Sequence, residues 1–351
     1  MSVKSRIRKL LIGEKPIPQY VGVGLHEPQT QIRVWLHGAG EPIEVTHNNV
    51  TAALRPFTIG IVEKETRKEK GETATRPLSS SQEGEGQPHP PALLSILERG
   101  KARLVFQEWG GKEKVLGEIF LREVRTIDVG EGKIRFFEIA GHRNYCLPPL
   151  KMQLHYLWRW WQGRKQKGGY NFQMVTGDLY AYYVFTICPR PVVLVSVVHD
   201  GASNIFPQDL IGPTDSPYFL MALRNTSPAV ALMKASRRMV LSGCPFAYQS
   251  IAYDLGPHHR KERIEWDAMP FAVRPSPTFG IPMPDAALFV REVAVEATHE
   301  VGSHTLFFTR IVNEERYNEE PQLFHVAGYY HDWLERQPHP LTPSPFGEGE
   351  S

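Results

Sequence analysis

The chain has 351 residues, of which 41% are hydrophobic and 22% charged, as in a globular protein long enough for two domains. Its 40 basic and 38 acidic residues nearly balance to a formal net charge of +2, which excludes an overall field strong enough to indicate a nucleic-acid or membrane partner. Apolar runs are too short for a membrane span or a secretory signal, and the 3 cysteines are too far apart for a metal knuckle, so we expect a reduced, cytoplasmic protein.

Residues 1–145 are predicted to form a small, mostly-β domain without a recognisable catalytic constellation. Several runs alternate polar and apolar residues and are separated by Gly-rich turns, as hairpins require. These runs are 31–37, 57–64, 101–109, 113–124 and 133–140. Residues 64–92 are rich in charge, Ser, Gly and Pro and predict a disordered insert, and residues 337–351 predict a disordered tail for the same reason.

A helix is predicted in the region 146–170, where it connects the two halves of the chain and ends in a basic turn. Its apolar and aromatic residues would occupy two faces. These residues are Leu150, Leu154, Leu157 and Trp161 on one face and Met152, Tyr156 and Trp160 on the other. We interpret the helix as packed between domains or subunits, because helical aromatics are more often core than a stacking platform for single-stranded nucleic acid.

The region 171–336 is predicted to be a second domain, a small closed or nearly closed β-barrel, because it contains many short β-runs and one clear helix at 228–238. A linking segment, 254–285, would form a long excursion around the barrel. The predicted β-runs are YAYYVFTI (180–187), PVVLVSVV (191–198), SNIFP (203–207), YFLMALR (218–224), RMVLSG (238–243), ALFVREVAVEATHEV (287–301) and HTLFFTRIV (304–312).

The corner between the third of these strands and the helix is rich in anion-binding groups. Ser227 is a good N-cap and Pro228 fits the first helical position, so the helix start is well specified. Arg224, Asn225, Thr226 and Ser227 could add a cation, an amide and two hydroxyls to the positive end of the helix dipole. Two interpretations remain open from these residues: a phosphate site, or helix capping beside a solvated arginine.

Four stretches in this part of the chain carry a resemblance. They are PRPVVLVSVVHDGASNIFP (189–207), LRNTSPAVALMKASRRMVLS (223–242), VGSHTLFFTRIV (301–312) and FHVAGYY (324–330). In their order and spacing they resemble the flavin reductase-like family over about residues 175–332. The resemblance implies a mostly-β chain whose C-terminal part is an FMN-binding split β-barrel with a few helices.

The resemblance also implies the residues that would bind the cofactor. Arg224, Thr226 and Ser227 match the basic and hydroxyl residues that hold the FMN phosphate, with Asn225 between them. Asn204 and Pro207 match an Asn-x-x-Pro strand that leads to the loop beside the flavin ring. The ring-binding residues implied in this region are Asn204, Phe206, Gln208 and Asp209.

Two features bear on activity. Gln208, Asp209 and Leu210 stand where many relatives carry Ser-x-Phe, and an inward Asp209 would lower the potential of a bound flavin. His304 lies on the Gly-x-His-Thr-Leu-Phe strand and is the candidate catalytic residue of the nicotinamide pocket. The alternative for His304 is a strand histidine satisfied by a backbone carbonyl.

The function that the resemblance implies is hydride transfer from NAD(P)H to FMN. The nicotinamide would bind transiently, because the sequence has no Rossmann motif. The alternatives are an FMN-binding electron carrier or sensor without turnover, and a degenerate barrel that serves as an interaction scaffold. A homodimer is expected from the resemblance, although the N-terminal domain could cover the flavin within one chain. A partner monooxygenase or another acceptor would take the electrons from the flavin. A metal site is not predicted, because no histidine pair has the spacing of one.

Overall fold

The structure is a computed structural model that describes residues 17–38, 41–64, 102–129, 132–165, 174–213 and 218–337. The predicted insert and tail lie outside these ranges, apart from Lys64 and Gln337. Within the described ranges, none of the helices is long and apolar enough to cross a membrane.

The N-terminal half is built on a seven-stranded antiparallel sheet, here called the N-terminal sheet. All five predicted strands of this half are present. Burial alternates along β2, so one of its faces is buried, whereas residues 57–61 of β5 are all buried. The strands are β2 (Ile32–His37), β3 (Ile43–Glu44), β4 (Asn49–Leu54), β5 (Phe57–Lys64), β6 (Arg103–Glu108), β7 (Val115–Val129) and β8 (Gly132–Asn144). Their spatial order is β3-β2-β6-β7-β8-β5-β4.

The C-terminal half contains a second seven-stranded antiparallel sheet, here called the C-terminal sheet. Its strands are β10 (Val193–His199), β11 (Ala202–Gln208), β12 (Ile211–Pro213), β13 (Tyr218–Arg224), β14 (Arg238–Gly243), β17 (Phe289–Val301) and β18 (His304–Arg316). The spatial order is β11-β10-β14-β17-β18-β13-β12, so β11 and β12 form its edges. The mostly-β class predicted from the sequence is confirmed.

The remaining strands of the described residues form two smaller sheets. One has the order β1-β19-β9, so a strand from the start of the described chain pairs with one from its end. Its members are β1 (Tyr20–Leu25), β9 (Arg190–Pro191) and β19 (Gln322–Ala327). The other is the pair β15 (Val273–Pro275) and β16 (Pro282–Pro284), which belongs to the long excursion between β14 and β17.

Five α-helices lie among these sheets in the described part of the chain. They are α1 (Pro149–Lys165), α2 (Thr176–Phe185), α3 (Pro228–Ser236), α4 (Gln249–Leu255) and α5 (Gly328–Glu335), with short 3₁₀ turns at Phe246–Tyr248, Gly256–Arg260 and Trp266–Ala268. The predicted helices correspond to α1 and α3. In α1, Met152 and Tyr156 are buried, whereas Leu150 and Leu157 are 76% and 61% exposed, so only one of its two apolar faces is packed.

The predicted strand YAYYVFTI is wrong, because most of this run forms α2. All residues from Tyr180 to Phe185 are buried, so the helix has no polar face and lacks the periodicity that distinguishes a helix from a buried strand. Asp178 in its first turn accepts a hydrogen bond from the backbone N–H of Phe57 at 3.0 Å. The helix therefore contacts the N-terminal sheet through both its apolar surface and its N-terminal carboxylate.

The core is continuous between the two halves. Met221 and Leu223 of β13 point into a cluster inside the C-terminal sheet, whereas Leu220 and Ala222 belong to the cluster formed with the N-terminal sheet. Because neighbouring residues of a strand face opposite sides, both faces of β13 are buried, one by each half of the molecule.

Candidate functional site

A cavity of about 340 Å³ opens where the C-terminal sheet meets the N-terminal part of the chain. Its volume falls within the roughly 300–1,000 Å³ range of small-molecule sites. The charged, amide and imidazole side chains in its wall are Gln208, Asp209, Arg224, His259, His304 and His325. Three tyrosines line it as well: Tyr20, Tyr182 and Tyr253.

Strand pairing brings two predicted residues to this cavity together. Arg224 ends β13 and lies opposite His304, the first residue of β18, in the antiparallel ladder. The turn before His304 contains Gly302, whose φ is +50° and whose position would place a Cβ only 2.7 Å from the carbonyl oxygen of Arg55. Glycine is therefore required there by both backbone conformation and space, and the turn fixes His304 beside Arg224.

His304 is a neutral hydrogen-bonding group. Its Nδ1 lies 2.8 Å from the hydroxyl of Ser303 and 3.4 Å from the backbone N–H of Leu54. Because that N–H can only donate, Nδ1 is an acceptor and the neutral ring carries its hydrogen on Nε2. Burial and then the charge of Arg224 lower the pKa of His304 to about 4. The imidazole can therefore donate one hydrogen bond near pH 7 without introducing a charge.

Arg224 supplies a cation at the same end of the cavity. Its side chain is half-buried, and burial followed by repulsion from Arg260 lowers its pKa. A guanidinium remains charged at neutral pH even after such a shift, because its ordinary pKa lies far above neutrality. Partial removal from water strengthens its attraction for an anion.

The side chains of Asn225 and Ser227 are committed to the protein itself. The Asn225 amide donates to the carbonyl of Gly302 at 3.1 Å and accepts from the hydroxyl of Thr305 at 2.9 Å. The Ser227 hydroxyl donates to the carbonyl of His259. Both residues therefore shape the corner, and neither lines the cavity.

Of the four donors predicted for a phosphate, the structure brings only Arg224 to the cavity wall. Thr226 is exposed and lies outside the lining. Ser227 does stand at the N-cap of α3, as predicted, with Pro228 as the first helical residue. Its hydroxyl makes no capping bond to the helix, because the excursion between β14 and β17 provides another acceptor.

Asn204 and Phe206, both on β11, also lie outside the cavity lining. The Asn204 amide is buried and donates to the carbonyls of His258 and Lys261 at 3.0 and 2.9 Å. Phe206 is fully buried in the core of the C-terminal sheet. Asn204 therefore holds in place the segment that carries the cavity residue His259.

Gln208 does line the cavity, but its amide is used by neighbouring backbone. It donates to the carbonyl of Ala222 and accepts from the N–H groups of Asp209 and Leu210 at 3.2 and 3.4 Å. These bonds fix the turn between β11 and β12.

Asp209 pairs with His325 in the cavity wall. A carboxylate oxygen of Asp209 lies 2.7 Å from Nδ1 of His325 on β19. The rings of Tyr20 and Tyr253 flank the imidazole, with centroids at 4.9 and 5.7 Å. The Nε2 of His325 is buried and has no hydrogen-bond partner among the described residues. The wall therefore contains an unsatisfied polar atom next to an ion pair or charge-assisted hydrogen bond.

Sequence reasoning missed His259, His325 and Tyr253 as cavity residues. The spacing of these histidines in the sequence does not indicate a metal site, and the described residues contain no group of three or more His, Cys, Asp or Glu side chains that could hold a metal ion. His325 belongs to the FHVAGYY stretch that carries part of the resemblance, which was the available signal. No local sequence pattern indicates His259, because a long excursion of the chain brings it to the cavity. Its Nδ1 lies 2.6 Å from the carbonyl oxygen of Gly256, and burial is the main cause that lowers its pKa.

Comparisons with known proteins identify the same part of the chain. The family model of the flavin reductase like domain matches residues 185–334. No curated protein matches the chain. Among solved structures, BorF, the flavin reductase component of a bacterial two-component tryptophan halogenase, is 18% identical with a TM-score of 0.39, over 42% of this chain and 93% of BorF.

Two further structures are similar over the same share of the chain. An FMN-binding protein from Thermus thermophilus is 23% identical with a TM-score of 0.35, over 43% of this chain and 80% of that protein. The NADH:FAD oxidoreductase SgcE6 of Streptomyces globisporus is 16% identical with a TM-score of 0.38, over 42% of this chain and 88% of SgcE6.

Proposed function

Residues 185–334 belong to the flavin reductase-like family, as the sequence predicted, and from this premise we propose that the cavity binds FMN and that the protein transfers hydride to it from NAD(P)H. The observation that carries the proposal is the pairing of Arg224 with His304 in the wall of a cavity of small-molecule size. A cation next to a neutral N–H donor suits a ligand that joins an anionic group to a polar ring.

The chemistry of the cavity wall fits this group. Arg224 is the residue that would hold the phosphate. The unpartnered Nε2 of His325 and the Nε2–H of His304 offer hydrogen bonds to the polar edges of a ring. Tyr20 and Tyr253 provide aromatic surface against which a planar ring can pack.

The residues of the chain mainly bind and orient. A bound flavin supplies the hydride-accepting chemistry that amino-acid side chains lack. Burial is the main cause that raises the pKa of Tyr253 to about 12, and burial also raises the pKa of Tyr182, so both hydroxyls keep their protons near pH 7. His304 stays neutral under the same conditions. These groups can donate hydrogen bonds, and hydride transfer needs such positioning more than acid–base catalysis.

The second candidate is a flavin-binding carrier without turnover. The loop after β11 favours it, because the Gln208 amide donates to the carbonyl of Ala222 and Asp209 pairs with His325 where relatives carry Ser-x-Phe. In either case we propose that the electrons pass to an acceptor outside this chain, such as a partner monooxygenase.

A titration tests the cofactor assignment. FMN and riboflavin differ only in the phosphate, so Arg224→Ala should weaken FMN at least about tenfold and riboflavin much less, since a charge-assisted hydrogen bond contributes about 1.5–3 kcal/mol. Arg224→Lys should retain part of the preference for FMN. Arg263→Ala is the matched control, because it removes an exposed arginine that pairs with Glu265 away from the cavity.

Equal losses of FMN and riboflavin in Arg224→Ala would reject the phosphate assignment. Turnover is tested separately by adding NADH or NADPH to the flavin-loaded protein without oxygen. Bleaching of the oxidised flavin band supports the reductase, and a stable band that bleaches only with dithionite supports the carrier.

A further inference from the structure

The two large sheets have the same topology. The strands of each sheet can be numbered 1 to 7 in chain order. In the N-terminal sheet strands 1 to 7 are β2 to β8, and in the C-terminal sheet they are β10, β11, β12, β13, β14, β17 and β18. With this numbering, both sheets have the spatial order 2-1-5-6-7-4-3. All neighbouring strands in both sheets are antiparallel. Seven strands permit many orders, so the shared one identifies the N-terminal sheet as a second copy of the C-terminal architecture.

The copies also share a local irregularity. Strands 6 and 7 form the longest hairpin of each sheet, with 15 and 13 residues in β7 and β8 and 13 each in β17 and β18. Each of these two ladders contains two register shifts. Such bulges bend and twist a hairpin, so both sheets curve at the same structural position.

In its described residues, the N-terminal copy has no counterpart of the Arg224–His304 pair at the equivalent position. The ladder between strands 4 and 7 ends at Arg224 opposite His304 in the C-terminal sheet, and at Lys64 opposite Gly132 in the N-terminal sheet. Gly132 has no side chain to replace the imidazole. The residues after Lys64 are Glu-Thr-Arg, in contrast to the Asn-Thr-Ser-Pro that follows Arg224. Among the described residues, this Arg–His pair therefore occurs at the end of the strand 4–strand 7 ladder in the C-terminal sheet and not in the N-terminal one.

The N-terminal sheet instead covers the C-terminal one. Its edge strand β4 has all six residues buried, although an edge strand normally leaves one side open to solvent. This strand contacts β12, β13 and β18. Gly212 of β12 allows the approach, because a Cβ there would lie 2.8 Å from Cβ of Val50 and 2.9 Å from the carbonyl oxygen of Asn49.

The contacts between the copies extend to the cavity. The Ser303 N–H donates to the carbonyl of Arg55 at 2.9 Å, and the Leu54 N–H donates to Nδ1 of His304. Leu54 and, from β1, Tyr20 form part of the cavity wall. The hairpin of β4 and β5 therefore both closes the cavity and holds the imidazole of His304.

We infer that the N-terminal sheet is a second split-barrel sheet that completes the cavity in cis and takes the place that a partner subunit would otherwise fill. That the completed cavity holds a flavin rests on the proposed function, whereas the closure rests on the contacts alone. Leu54 and Tyr20 are positioning residues contributed by the N-terminal part of the same chain.

Complementation between two defective full-length chains tests the inference. One chain carries Leu54→Trp, which fills the cavity from the N-terminal side, and the other carries Arg224→Ala. The two are co-expressed with different tags, and FMN is added at a concentration that saturates only the unmodified protein. A site formed in cis predicts no recovery of binding, because every chain has one defect. A site shared between two chains predicts recovery of about a quarter of the sites, from mixed dimers with one intact site each.

The test is repeated with Tyr20→Ala in place of Leu54→Trp. Tyr20 is partly exposed and the substitution removes atoms, so this variant serves where the tryptophan at position 54 prevents folding. Recovery of binding with either pair would overturn the inference. No recovery with a folded pair supports it.

A second readout does not depend on flavin. Chemical cross-linking followed by gel separation should give peptide pairs that join the N-terminal and C-terminal sheets within the single-chain band of 39.9 kDa. Finding such pairs only in a band of twice that mass would overturn closure in cis. If no flavin binds to the unmodified protein but the single-chain pairs are found, the proposed function fails and the inference stands.

Discussion

At the scale of single residues, His304 links the site to stability. It is 3% exposed, and its pKa falls from 6.5 to about 4 in the folded protein. In the unfolded chain this imidazole takes up a proton near pH 6.5, whereas in the folded protein it does so only near pH 4. Its contribution to stability is therefore complete above about pH 6.5 and is lost as the pH falls toward 4.

We expect the protein to lose about 2 kcal/mol of stability between pH 7 and pH 5 through His304 alone. His304→Gln should remove this part of the pH dependence, because glutamine does not titrate. Urea unfolding of both proteins at the two pH values measures the difference. His199→Gln, at a partly exposed histidine on β10 outside the cavity lining, is the matched substitution for comparison. An unaltered pH dependence in His304→Gln would contradict the assignment.

At the scale of elements, the approach of β4 to β12 depends on Gly212. A methyl group there meets backbone and a β-branched side chain that cannot move independently of the strand. We expect Gly212→Ala to destabilise the protein by about 1–3 kcal/mol, as overpacked cores do. Thermal or urea unfolding measures the change. Gly177→Ala in α2 is the control, because a Cβ at Gly177 meets no atom within 4 Å.

Equal stability of Gly212→Ala and Gly177→Ala would show that the contact between β4 and β12 is looser than the structure has it. If Gly212→Ala loses flavin affinity and Gly177→Ala does not, the contact between β4 and β12 also stabilises the cavity.

Most of the long strands and two of the helices could be predicted because their apolar pattern is local, whereas β1, β4, β19 and the shortest strands were not predicted. The run YAYYVFTI could not be assigned correctly, since a helix buried on all sides has the same apolar pattern as a buried strand. At the corner after β13, the sequence indicated Arg224 and the start of α3. The acceptors that occupy Asn225 and Ser227 come from residues far along the chain, at Gly302 and His259, and no local pattern predicts them.

At the scale of the whole molecule, the two sheets share one hydrophobic cluster. A protein with two independent cores unfolds in two steps, whereas a shared core couples the halves. We expect one cooperative unfolding transition, with the same midpoint when it is followed by far-UV circular dichroism and by tryptophan fluorescence. Trp35 lies on β2 of the N-terminal sheet and Trp266 lies in the C-terminal excursion, so fluorescence reports both halves. Separate midpoints would contradict a shared core.

The pairing of β1 with β19 sets the order of events during synthesis. Residues 20–25 reach their partner only when residues 322–327 have been made, so about 300 residues must leave the ribosome before this sheet can form. Until then β1 exposes an unpaired edge, a species that chaperones recognise and that aggregates when it persists. Expression at lower temperature or with extra chaperone should therefore raise the yield of native protein more than a stronger promoter would.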